Sequence, residues 1–97
     1  MGPFGREPKP IRKIRFELEA LPIMWKVHGT LPDANRRQAE HAMRASIRGH
    51  AKAAAAGGHR ALAVEVLTSA RANPPADEQA PGLHWDDVID EGLAALA

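Results

Sequence analysis

From Ala34 to Ala56 the chain runs through residues that mostly favour helix, with no proline among them, and any fold must accommodate that long helix. Thr30-Leu31-Pro32-Asp33 precedes it, with Thr30 or Asp33 as the expected cap and an acid set against the first-turn dipole. Gly57-Gly58 follows as the expected left-handed stop. Projected at about 100° per residue, Arg37, His41, Arg44, Arg48 and Lys52 share one narrow sector. Ala39, Ala42, Met43, Ser46, His50 and Ala53 fall opposite, so a small-sided face is expected against the core and a basic ridge outside.

The rest of the chain must be built around this helix with little material. Ninety-seven residues support one core, and an apolar fraction of 44% with 26% charge is that of a chain that folds. The only aromatics are Phe4, Phe16, Trp25 and Trp85. A core of Ala, Leu, Val and Ile buries little area per residue, and a homodimer is therefore expected.

Alternation marks the first half. In residues 11–20 Ile14, Phe16 and Leu18 alternate with Arg15, Glu17 and Glu19, the period of a strand with one buried face. In residues 22–29 Ile23, Trp25 and Val27 alternate with Met24, Lys26 and His28, and Pro22 stands where a strand tolerates a missing donor. Ala20, Leu21 and Pro22 would join the two as a hairpin. Between 60 and 68, Leu62, Val64 and Val66 predict a third strand, although Leu62, Val66, Leu67 and Ala70 also suit a helix.

The expected fold is thus α+β: a small antiparallel sheet, a β-hairpin plus a third strand, packed by one long helix and followed by a C-terminal amphipathic helix, in the order ββαβα. A mostly α chain with an N-terminal hairpin is the alternative. Residues 1–10, with three prolines and two glycines, read as a disordered leader, 11–72 as a basic α+β body, and 73–82 (NPPADEQAPG) as a Pro-rich linker. Residues 83–97 form the acidic amphipathic helix, with Trp85, Val88, Ile89, Leu93 and Leu96 on one face and Asp86, Asp87, Asp90 and Glu91 on the other.

Charge divides along the same boundary. All thirteen basic residues lie at or before Arg71, whereas residues 76–97 hold six acids and no lysine or arginine. Such asymmetry points to an interaction protein and away from an enzyme. The absence of cysteine excludes disulfides, thiolate zinc sites and cysteine nucleophiles, and fits a cytoplasmic location. No apolar run reaches signal-peptide or membrane-span length, and Arg6 stands where a myristoylation motif needs Ser or Thr.

Little else carries chemistry. His28, His41, His50, His59 and His84 show no metal-ligand spacing, so no metal or cofactor is expected, and His50 reads as a hydrogen-bonded core or interface histidine. Ser46 and His50 share a helix face, but without an orienting acid or oxyanion turn they make no nucleophile. Two binding surfaces remain. Arg37, Arg44, Arg48 and Lys52 are the candidates to follow a nucleic-acid backbone. Trp85, Val88, Ile89, Leu93 and Leu96, with Asp86, Asp87 and Asp90 behind them, are the candidates to occupy a basic protein partner, with Trp85 as anchor.

That division of labour resembles the layout of bacterial type II antitoxins, and the resemblance implies a body that binds DNA and a terminal segment that neutralises a protein. The resemblance is one of layout, not of motif. A second expectation is an anti-CRISPR-like inhibitor of a phage or mobile element, whose acids imitate phosphates on a host nucleoprotein complex. A third is a small structural subunit of a larger assembly.

Overall fold

The computed structural model describes residues 7–27, 32–76 and 78–97. Among the described residues there are four helices: α1 (Lys9–Val27), α2 (Asp33–Ala56), α3 (Arg60–Ala72) and α4 (Trp85–Leu96). Among the described residues there is no strand, so the expected α+β fold is overturned, and with it the N-terminal hairpin in either architecture. His28, Thr30 and residues 1–6 of the expected leader lie outside the described residues.

The reason is visible in the spacing. Besides alternating, the first segment carries Ile11, Ile14, Leu18, Leu21 and Trp25 at intervals of three and four, and these are the buried residues of α1. A helix satisfies its backbone internally, whereas an isolated hairpin and one short strand would leave sheet edges to water. Pro22 lies inside α1 and cannot donate to the carbonyl of Leu18. Burial of Leu18, Leu21 and Trp25 around it offsets the lost bond. The expected strand at 60–68 is likewise helix, with Ala63, Val66 and Leu67 buried on one face of α3.

The long helix stops as its glycines require. Gly58 takes φ +84°, a left-handed conformation. His59 N donates to Ala54 O at 2.8 Å and Gly58 N to Ala55 O at 3.1 Å, the paired bonds of a Schellman motif. At the other end Pro32 precedes the helix and supplies no side-chain cap, and Asp33 is already its first residue.

α1 and α4 each pack against both α2 and α3, which also touch one another, while α1 and α4 do not meet. One apolar core results, contributed by Ile11, Ile14, Leu18 and Leu21 of α1, Ile47, Ala51 and Ala54 of α2, Ala63, Val66 and Leu67 of α3, and Trp85, Val88, Ile89 and Leu96 of α4. The buried arc of α2 therefore differs from the expected one. It runs through Glu40, Ile47, Ala51 and Ala54, whereas Ala42 and Ala53 are exposed. Two helices grip α2 from different directions, and the arc is centred between them. No helix of the described residues is long and apolar enough to cross a membrane.

Candidate interaction surfaces

The acidic terminal helix meets the basic ridge of its own chain. Arg44 Nη2 lies 3.2 Å from Glu91 Oε1 and Arg48 Nη1 lies 3.1 Å from Glu91 Oε2, so one carboxylate of α4 holds two guanidiniums of α2. Arg71 of α3 pairs with Asp90, and Arg60 donates to the Leu96 carbonyl, where a cation suits the helix C-terminus. Lys52 is exposed and has no ion-pair partner among the described residues. With Arg44, Arg48, Asp87, Asp90 and Glu91 it lines an open groove of about 520 Å³ between α2 and α4.

The apolar stripe of α4 faces inward. Trp85, Val88, Ile89 and Leu96 are buried, Leu93 is half-buried, and Asp86, Asp87 and Asp90 are exposed. Trp85 Nε1 donates to Ala70 O at 2.9 Å, which satisfies the indole inside the core. Of the residues expected to bind a partner, only the acids are thus presented to solvent.

Arg37, at the N-terminal end of the ridge, ties down the connection that leads into α4, while His41 is exposed. Its Nη1 donates to Gly82 O at 3.2 Å and to Glu40 Oε2 at 3.0 Å, and its guanidinium lies 5.1 Å from the ring of Trp25. Arg36 lies 5.3 Å from the same ring, and Trp25 Nε1 donates to Pro81 O at 2.6 Å. Trp25 is therefore spent inside the molecule and offers no face to a nucleotide base. Glu40, 2% exposed, collects Arg37, Arg44 at 3.6 Å and His84 Nδ1 at 3.2 Å. The Pro-rich segment is anchored at Ala80, Pro81 and Gly82 to the start of α2 and the end of α1.

Ser46 and His50 acquire an acid that the sequence did not place. Ser46 Oγ donates to Glu17 Oε1 of α1 at 2.5 Å, and His50 Nε2 stands 3.3 Å from Ser46 Oγ and 3.4 Å from Glu17 Oε1. The arrangement is not that of a nucleophile. The hydroxyl donates to the carboxylate and has no second proton for the ring, and the acid reaches the same ring nitrogen as the serine instead of orienting the ring from its far side. The cluster is a polar clasp between α1 and α2.

The surface that sequence reasoning missed is the outer face of α1. Phe16 is 70%, Ile23 66% and Val27 70% exposed, and all three were expected inside a sheet. With Ala20 they are spaced four, three and four apart, which puts them in one stripe opposite the buried face. Lys9, Arg12 and Lys13 continue that stripe toward the N-terminal end, and none has an ion-pair partner among the described residues, whereas Arg15 is held by Glu7 at 2.7 Å. Two shallow recesses meet at Phe16. One, of about 320 Å³, is lined by Lys9, Arg12, Lys13 and Phe16, and the other, of about 290 Å³, by Phe16, Glu19, Ala20, Ile23 and Met24. A projection of residues 9–27 as a helix shows both apolar stripes, which is the signal that the alternation masked.

No protein-family model, curated protein or solved structure matches the chain.

Proposed function

We propose that the chain is a small non-enzymatic regulatory protein that acts by binding another protein, and that the outer face of α1 is its recognition surface. One observation carries this reading. Among the described residues the exposed large apolar side chains are Phe16, Ile23 and Val27, and they lie on a single helical face. Scattered apolar residues need no explanation, but a contiguous apolar stripe on one helix marks an interaction site. A partner that covers it recovers about 2 kcal/mol for each large side chain removed from water, before the costs of association.

The α2 ridge supports this role less well, because Arg37, Arg44 and Arg48 already hold Glu40 and Glu91. A nucleic-acid backbone would have to compete with those carboxylates. The phosphate-imitating inhibitor remains a second reading, supported by Asp86 and Asp87, which are exposed in the first turn of α4 without ion-pair partners among the described residues.

A Phe16→Ser/Ile23→Ser variant separates these. It should keep the helical circular-dichroism spectrum and thermal midpoint of the native chain and lose the partner that the native chain captures from cells. Capture of the same protein by both chains would refute the α1 reading. Loss of capture in an Asp86→Asn/Asp87→Asn variant would move the site to α4.

A further inference from the structure

We infer that the occupant of the α1 face is an acidic amphipathic helix of a partner protein, which sets its apolar side chains against Phe16, Ala20, Ile23 and Val27 and its carboxylates against Lys9, Arg12 and Lys13. The inference rests on the reading of α1 as the recognition surface and specifies what that surface takes.

Chemistry and spacing carry it. The recess beside Ala20 is apolar apart from Glu19, and the small side chain leaves a notch between Phe16 and Ile23 that receives a branched apolar knob. The recess at the N-terminal end presents three cations around one edge of Phe16. The centres of the two recesses along the helix are about 12 Å apart at ~1.5 Å per residue. A straight partner helix meets both if its acids stand a little over two turns from its apolar anchor. Lys9 to Val27 spans about 27 Å, so five turns of partner helix cover the face.

Other occupants match the face less well. A second copy laid on α1 in parallel would bring two basic ends together, and laid antiparallel it would bring Lys26 toward Lys9 and Lys13. The acidic helix of a second copy cannot serve, since its apolar stripe is buried in its own core. An anionic membrane would attract the cations but repel Glu19, which borders the apolar recess in the middle of the stripe. Nucleic acid leaves Ile23 and Val27 without a counterpart.

The test uses the full chain and two synthetic amphipathic peptides with the same leucine stripe, one with glutamates and the other with lysines two to three turns from its centre. Binding is read by fluorescence anisotropy at low salt. The glutamate peptide should bind at least tenfold more tightly than the lysine peptide, and a Lys9→Glu/Arg12→Glu/Lys13→Glu variant should reverse the order. Two of those reversals, at positions 9 and 12, place acids in the first turn of α1, which favours the helix, and an unchanged circular-dichroism spectrum would separate loss of binding from unfolding. Equal binding of both peptides, abolished by Phe16→Ser/Ile23→Ser, would overturn the acidic partner while leaving the face as a recognition surface. Failure of the glutamate peptide to bind overturns the inference. Sedimentation showing a dimer that Phe16→Ser/Ile23→Ser dissociates would then assign the face to a second copy. Sedimentation of the chain with phosphatidylglycerol vesicles would instead assign it to a membrane and remove the protein-binding reading as well.

Discussion

Glu40 shows how much of this molecule is decided one side chain at a time. It is buried at 2% exposure in a helix whose other buried residues are apolar, and its carboxylate answers Arg37, Arg44 and His84 together. Removing one partner of a buried ion pair costs about 3–5 kcal/mol, and the cost is smaller here because both guanidiniums remain partly in water. Glu40→Ala should lose about 2 kcal/mol, which in a chain of this size lowers the thermal midpoint by about 10 °C. A midpoint that moves by less than a quarter of that would show the carboxylate to be incidental. The sequence pattern could not reveal this residue. A lone Glu at a turn of α2 reads as surface, and only the arrival of the 80–84 segment over it closes it off from water.

At the scale of the element, two glycines inside helices show where packing decides. A Cβ at Gly92 of α4 would stand 3.0 Å from Leu67 Cδ1 and 3.1 Å from Ile47 Cγ2, so α4 comes close to α2 and α3 at the one position without a side chain. At Gly49 of α2 nothing lies within 4 Å. Gly92→Val should therefore destabilise by about 1–2 kcal/mol through overpacking. Gly49→Ala should stabilise by about 0.5–1 kcal/mol through helix propensity alone. Urea midpoints of the two variants would test both statements, and equal shifts of one sign would contradict them. The sequence marked both residues as helical but did not distinguish them. α1 carries the same lesson in another form: Phe16 and Ile14 look equivalent in an alternating run, and the helix buries one and exposes the other.

For the whole molecule the division into a body and an appended acidic helix does not describe how the core is built. Trp85, Val88, Ile89 and Leu96 belong to the same cluster as Ile47 and Leu67. A chain ending at residue 82 would expose Ile47 and Leu67 and leave Arg44 and Arg48 without Glu91. It should lose its cooperative thermal transition while keeping part of its helix signal, and should bind a hydrophobic dye. A truncated chain that melts cooperatively near the native midpoint would show α4 to be dispensable. The same seam bears on nucleic acid, since a phosphate contact by Arg44 or Arg48 must first release a carboxylate.

What the sequence alone determined is local and strongly patterned. The long helix between Pro32 and Gly57, its glycine stop, the amphipathic helix after His84 and the split of charge are all present in the structure, because propensity, caps and composition act over a few residues. The tertiary structure decided the rest. Residues 9–27 and 60–72 have apolar side chains that satisfy two periods at once, and the choice between strand and helix falls to whichever arrangement gives both the backbone and the apolar faces partners. Four helices around one core do so, and they bring Glu91 against Arg44 and Arg48 of the basic ridge. The same choice leaves Phe16, Ile23 and Val27 on the outside, where another molecule can reach them.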